Sequence, residues 1–290
     1  MFDQPASDQP PAPKPKRPHP LEVRTPEMTE NPRPRGMLHI RVVKPYITYG
    51  LMVVNIAIFI VAFYILTPRQ VLDLYLWGAN NHIEVLQGGQ YHRLFTSMFL
   101  HNSPEHIIFN MFALYFIGTT VERFFGHIRF VIIYLLGGLA GSVMDVVLSQ
   151  PMVMSVGASG AIFAIFGAQY MFWYRHRKLF GETARQQLRQ MAIFAAINFG
   201  VGIISSLNLG EGQVHISNWG HFGGVLGGLL LAWWISPNFL LEKQPDSENT
   251  FKGVDVNPLP QHYTTLIFFT SGLMAVLVVA TFFARGGFAS

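Results

Sequence analysis

Seven apolar runs long enough to cross a bilayer punctuate the chain, at 46–66, 104–124, 128–148, 157–173, 191–207, 219–235 and 265–283. A membrane-spanning helix needs about 17–25 such residues. The bilayer core holds no water to pair with exposed N–H and C=O groups, so each run must satisfy its own backbone, as a helix does. Charge agrees with this reading. Only 12% of residues are Asp, Glu, Lys or Arg, against about 25% in a soluble domain. The expected fold class is an all-α polytopic membrane protein.

The segments outside these runs set the organisation. Ten prolines and almost no aliphatic residues fall within 1–35, too little apolar surface to offset the entropy of ordering. Residues 1–43 are expected to form a disordered, Pro-rich, basic tail. The tail holds no short apolar core followed by small residues, so it does not read as a cleavable signal peptide. A helical core at 44–238, a linker at 239–263 and a seventh helix with a short C-terminus at 264–290 follow. Between the first two runs, the apolar piece at 71–76 is expected to lie at the interface.

Basic residues give the orientation. Of the 20 Lys and Arg, 17 fall on one side of the alternating spans, and only Arg69, Arg93 and Arg285 fall on the other. By the positive-inside rule the N-terminus and the linker are cytoplasmic, and seven crossings leave the C-terminus outside. The expected location is the plasma (inner) membrane. The net charge of +4 is thus topological, and the expected partner is the lipid bilayer, not nucleic acid. The chain has no cysteine, which excludes disulfides, thiol nucleophiles and thiolate metal sites.

Polar groups inside apolar spans are costly and point to function. Three clusters qualify: 101–110, with His101, His106 and Asn110; 157–160, with Gly157, Ser159 and Gly160; and 219–224, with His221 and Gly224. They open the second, fourth and sixth spans. Those spans all run in the same direction, so all three clusters share one leaflet and can meet at one depth. Locally, His106 and Asn110 are four apart and share a helix face. Gly160 and Gly167 lie in a small-residue stripe on the fourth span, and His221, Gly224 and Gly228 share a face on the sixth. Such stripes let two helices pack backbone to backbone, which would bring Ser159 to His221.

That pairing has a clear chemistry. A serine hydroxyl becomes a nucleophile when an adjacent base takes its proton, and histidine titrates near neutrality. The oxyanion needs preorganised donors; the Asn110 amide, the His106 ring and the Ser159 N–H are candidates. Asp145, near the end of the third span, is the one candidate third member of a triad; an interfacial side chain is the simpler reading, and a Ser-His dyad is expected. Each cluster alone is weak, since Gly, Ser and single histidines are common at helix contacts. The five-residue spacing of His101 and His106 does not suit a metal, and no His-Glu-x-x-His occurs. No metal and no cofactor are expected. A transporter is disfavoured by the lack of internal repeats.

Together these residues resemble the rhomboid family of intramembrane serine proteases, over roughly 88–235. The matching patterns are His101, His106 and Asn110 as HxxxxHxxxN, Gly157 to Gly160 as GxSG, and His221, Gly224 and Gly228 as HxxGxxxG. The stretch 89–101 is similar to the family's first loop, and Glu122 and Arg123 resemble a charged pair at the inner end of the second helix. The resemblance implies a six-helix catalytic core plus one C-terminal helix, cleaving transmembrane protein substrates near the outer face. It assigns Ser159 and His221 to catalysis, and His106, Asn110 and the Ser159 amide to the oxyanion hole. His92 replaces a tryptophan common before the loop arginine, and Phe163 a tyrosine one turn after the nucleophile. The rival reading is a catalytically silent relative that binds client transmembrane segments; loss of Ser159 or His221 would have marked it.

Overall fold

The computed structural model describes residues 37–207, 217–244 and 250–287; the expectation of disorder at 1–36 lies outside them. The elements run β1 (Met37–Ile40), α1 (Tyr46–Ile60), α2 (Pro68–Gly78), β2 (Asn80–Asn81), α3 (Arg93–Thr96), α4 (Pro104–Ala113), α5 (Thr119–Phe125) and α6 (His127–Leu148). They continue β3 (Met154–Ser155), α7 (Ser159–Arg175), α8 (Arg177–Phe180), α9 (Glu182–Leu207), α10 (Asn218–Ile235), β4 (Phe239–Lys243), β5 (Thr250–Asp255) and α11 (Tyr263–Ala284). Wide π-type turns extend α1 through Val61–Ile65 and join α4 to α5 through Leu114–Gly118.

Among the described residues, four helices are long and apolar enough to cross a membrane: Tyr46–Ile65, Pro104–Phe125, His127–Leu148 and Leu259–Ala284. The other three apolar runs fall on α7, α9 and α10. Of these, α7 and α10 lie against α6 and are rich in glycine and alanine where they pack. Lipid sets the composition of an outer helix; backbone approach sets theirs.

That approach is close. In lipid no hydrophobic force joins helices, so small residues must let dispersion act at short range. A methyl group added to Gly224 would collide with the Gly160 carbonyl, and one added to Gly228 with the Ala164 carbonyl. A Cβ on Gly167 would lie 2.5 Å from the Val225 carbonyl oxygen, and one on Gly141 only 2.6 Å from that of Gly220. Gly137 and Gly138 abut Ala164 and Ala161 in the same way. The small-residue faces of α7 and α10 therefore lie backbone to backbone, and α6 is an equal third partner. Its run from Gly137 to Gly141 carries the same small-residue signal.

The all-α expectation needs correction at one end. Met37–Ile40, from the end of the tail, and Phe239–Lys243 and Thr250–Asp255, from the linker, form a three-stranded sheet of order β1-β5-β4, with β1 parallel and β4 antiparallel to β5. Met37–Ile40 is a strand, not disordered tail. Polar anchors explain why short strands persist here. Arg129 on α6 pairs with Asp255 at 2.7 Å. His176, at the end of α7, accepts from the Phe239 N–H at 3.0 Å through Nε2, and its Nδ1 donates to the Phe172 carbonyl at 2.9 Å. Burial holds this ring's pKa down at about 4, so it stays neutral, as an acceptor must. Of the two charged residues at the end of the second span, Glu122 has a defined structural role. Glu122 is fully buried and accepts from the N–H groups of Ile47 and Thr48 and from the Thr48 hydroxyl, at 2.9, 2.7 and 2.6 Å. It thereby satisfies the open first turn of α1.

The last helix, α11, packs its far end on α6 and on the loop before α3. Leu277 joins a cluster with Val85, Leu86, Val143 and Val146, and Arg285 Nε donates to the Leu86 carbonyl at 3.1 Å. The piece at 71–76 lies within α2, started by a Thr67–Gln70 capping box.

Overpacking typically costs about 1–3 kcal/mol, so Gly224→Ala and Gly228→Ala should each lower stability by that much. Gly160→Ala should be tolerated, because its methyl would meet nothing closer than 3.6 Å. Thermal unfolding in detergent checks this; equal midpoints for all three variants would contradict such tight packing.

Candidate active site

Three helix starts converge on one cavity. The Ser103-Pro104 pair opens α4: the Ser103 hydroxyl accepts from the His106 N–H at 3.2 Å, and proline fills the first helical position, where its missing N–H is not needed. This register puts His106 in the first turn and Asn110 one turn deeper. Ser159 is the first residue of α7, and His221 lies in the first turn of α10, which Ser217 caps.

The nucleophile and base candidates meet. His221 Nε2 lies 2.9 Å from Ser159 Oγ. Phe163 stacks on the His221 ring at 4.3 Å and 29°, a contact that needs no hydroxyl. His221 Nδ1 is buried with no hydrogen-bond partner among the described residues. Among the described residues no carboxylate hydrogen-bonds to the ring.

Gly157 shapes the opposite wall. Its φ of +122° lies in the left-handed region that favours glycine, and a Cβ there would sit 2.7 Å from His106 Cε1 and Nε2 and 3.5 Å from Asn110 Nδ2. Its N–H donates to the Ser97 carbonyl at 2.9 Å. A nook therefore exists beside the nucleophile loop, faced by the His106 ring and the Asn110 amide. Asn110 Nδ2 is buried and unpartnered among the described residues, a donor free to meet a charge that develops there.

Sequence reasoning gave no role to Asn102. Its Oδ1 lies 2.8 Å from His106 Nδ1, so its amide decides the ring's tautomer. With oxygen toward the ring the proton sits on Nδ1; with nitrogen toward it the proton sits on Nε2, the atom at the nook. The i, i+4 spacing of Asn102 and His106 is the signal that could have found it. His101 supports rather than lines the site: its ring is 2% exposed and packs edge-on against His106 at 5.2 Å. Burial, with the nearby His106, pushes its pKa down to about 3, and its carbonyl accepts from Tyr75.

The first loop is built around Arg93, 3% exposed, which donates to the Ala79 carbonyl at 3.0 Å and to Gln90 at 2.9 and 2.7 Å. His92 lies against Trp77, 5.0 Å between centroids. Asp145 is buried and does not hydrogen-bond to His221. It accepts from Asn80, Ser149 and Ser217. Among the described residues no group of three His, Cys, Asp or Glu could hold a metal ion.

The cavity, about 1540 Å³, is lined by Ser159, His221, His106 and Asn110 and continues past Phe163 and Phe166 to Gln169. Along α7 that is a descent of about 15 Å. Phe109, Phe112 and Phe116 on the second span face Phe194 and Val201 of α9 across it, and all five are exposed on the molecule's flank.

Comparison with known proteins follows the same motifs. The family model described as the Rhomboid domain matches residues 88–238, just over half of the chain, and the chain belongs to the rhomboid family. It is an integral membrane protein. It is 35% identical over 189 residues to the Rhomboid protease GluP of Bacillus subtilis (strain 168), covering 65% of this chain and 34% of that protein. It is 29% identical over 216 residues to RHOMBOID-like protein 1 of Arabidopsis thaliana, covering 72% and 53%. It is 32% identical over 170 residues to RHOMBOID-like protein 6, mitochondrial, of Arabidopsis thaliana, covering 59% and 50%. The chain thus spans from about a third to about half the length of these relatives.

Gly157→Ala should leave the helices in place but push His106 from the nook. At about 1–3 kcal/mol of local strain, labelling of Ser159 by a fluorophosphonate should slow about tenfold or more. An unchanged labelling rate would show that the left-handed turn is dispensable.

Proposed function

We propose that this protein is an intramembrane serine endopeptidase that hydrolyses peptide bonds of transmembrane substrates near the outer membrane face. The observation that carries this reading is the 2.9 Å contact between Ser159 Oγ and His221 Nε2, made between two helices that run side by side inside an apolar bundle. A half-buried Ser-His pair is the minimum machinery for acyl transfer, and the family named above supplies the prior. A silent client-binding relative would have no need of that contact.

In this mechanism a substrate segment enters sideways from lipid, between the exposed phenylalanines of the second span and the exposed Phe194 and Val201 of α9. Its scissile carbonyl comes to rest over Ser159. As Ser159 Oγ attacks the carbonyl carbon, His221 Nε2 takes the hydroxyl proton. Negative charge gathers on the carbonyl oxygen, which sits in the nook by Gly157 and receives hydrogen bonds from Asn110 Nδ2, the Ser159 N–H and, in its Nε2–H tautomer, His106. The tetrahedral intermediate then collapses; His221 gives its proton to the leaving amine, and the C–N bond breaks. Water, activated by the same ring, hydrolyses the acyl-enzyme.

The architecture in this reading is a six-helix core, 44–238, followed by one further helix from 264. The N-terminus and the sheet face the cytoplasm, the catalytic end faces outward, and the host membrane is the plasma (inner) membrane. The natural absence of cysteine makes orientation easy to test. A single cysteine placed at 290 should react with a membrane-impermeant maleimide added outside intact cells, and one placed at 30 should not. The reverse pattern would overturn the topology.

Members of a catalytic pair act as a unit, so losing either costs nearly as much as losing both. Ser159→Ala and His221→Ala should each abolish cleavage of a transmembrane substrate, with the double variant no worse. Each oxyanion donor is worth less: Asn110→Ala should slow turnover about 10²–10³-fold. Robust cleavage by purified Ser159→Ala would end the serine-protease reading.

A further inference from the structure

A carboxylate within a membrane helix is tolerated when its lone pairs are used, and those of Asp145 are used in an informative way. It lies near the end of α6, 4% exposed. Its Oδ2 accepts from Asn80 Nδ2 at 3.0 Å, and its Oδ1 from Ser149 Oγ at 2.6 Å and from Ser217 Oγ. The donors belong to three separate segments. Asn80 is in the first loop, Ser149 begins the stretch that leads to Ser159, and Ser217 caps α10. Asn80, Asp145, Ser217, Gly220 and His221 all border the cavity that holds Ser159.

Ser217 is the link that matters for chemistry. A serine hydroxyl has one proton to give and lone pairs to receive. Here the proton goes to Asp145, which turns the oxygen toward α10, where it accepts from the Gly220 N–H at 3.0 Å. The next residue is His221, whose own N–H donates to the Ser217 carbonyl at 3.1 Å. Gly220 lies so close to Asp145 that a Cβ added to it would be 3.7 Å from the Asp145 Cβ. Asp145 thus fixes the rotation of the cap, and the cap fixes the turn that carries the base.

This turn needs fixing. The His221 ring has one polar contact, to Ser159, and its Nδ1 finds no partner among the described residues. Stacking on Phe163 restrains the plane of the ring but not its height along the helix. In a triad a carboxylate holds the base by its second nitrogen; here that hold is missing, and the backbone of the first turn must supply it.

We propose that Asp145 is a positioning residue: through Ser217 it holds the first turn of α10 so that His221 stays within reach of Ser159. The proposal rests on the Ser159–His221 reading above. It accounts for a buried anion that the reaction itself does not use.

The test compares Ser217→Ala, Asp145→Ala, their double variant and Ser217→Thr in the full chain. Two quantities are read at temperatures well below unfolding: the rate of fluorophosphonate labelling at Ser159, and kcat and KM on one transmembrane substrate. A base displaced by an ångström can cost up to about 10²-fold. Ser217→Ala and Asp145→Ala are each expected to slow labelling and kcat by about 10–10²-fold, with KM within about twofold. The double variant should be no slower than the slower single, because both act along one path. Ser217→Thr, which keeps the hydroxyl, should label within about threefold of the parent. A folded Ser217→Ala that labels at the parent rate overturns the proposal, as do losses that multiply in the double variant. Should Asp145→Ala fail to fold, Ser217→Ala against Ser217→Thr decides alone. A parent protein that does not label at all, or a Ser159→Ala that does, defeats the dyad reading instead and is distinguishable from either result.

Discussion

Everything at the candidate site depends on how closely α6, α7 and α10 approach one another. Ser159 and His221 begin two different helices, 62 residues apart in the chain, and a hydrogen bond between them requires the helices to touch at the backbone. Lipid supplies no hydrophobic force to press them together; surface that leaves lipid for another helix gains only contact and hydrogen bonding. Glycine makes that gain large enough. Where Gly224 faces the Gly160 carbonyl and Gly228 the Ala164 carbonyl, no side chain holds the helices apart. The glycines of α6 close the third side. The outer helices are different, bearing large apolar side chains exposed to lipid.

Such a core has little room for charge, and the described residues place each buried charged group where it finishes something. Glu122 covers the open first turn of α1, Arg93 gathers the first loop around Ala79 and Gln90, and Arg129 ties the sheet to α6 through Asp255. Asp145 joins three loops at the mouth of the candidate site. Each pays the cost of burial with several good hydrogen bonds, as a low-dielectric interior demands. The two ends of the molecule are thereby made rigid by polar contacts, and the middle by glycine.

Much of this was legible in the chain. Apolar run length gave the helices, because a bilayer dictates how long a self-satisfied backbone must be. Alternation of those runs places the 101–110, 157–160 and 219–224 clusters at one end of the bundle. Gly160, Gly167, Gly224 and Gly228 were visible as stripes, since helical spacing alone puts them on one face. Other features left no comparable trace. The β1-β5-β4 sheet joins residues more than 200 positions apart through strands of four to six residues, too short to show a pattern against Pro-rich and polar surroundings. The role of Asn102 depends on which way an amide turns toward His106.

The sequence by itself determined which polar residues interrupt the apolar spans and that they gather at one end of the bundle, because helix period and span length are local properties of the chain. Only the tertiary structure decided how they are held. That Glu122 serves α1, that α6 is a full partner in the glycine contact, and that Asp145 meets Ser217 instead of His221 all depend on the distances and rotations between packed helices. These are fixed by the fit of backbone against backbone across the whole bundle, and no local stretch of sequence encodes that fit.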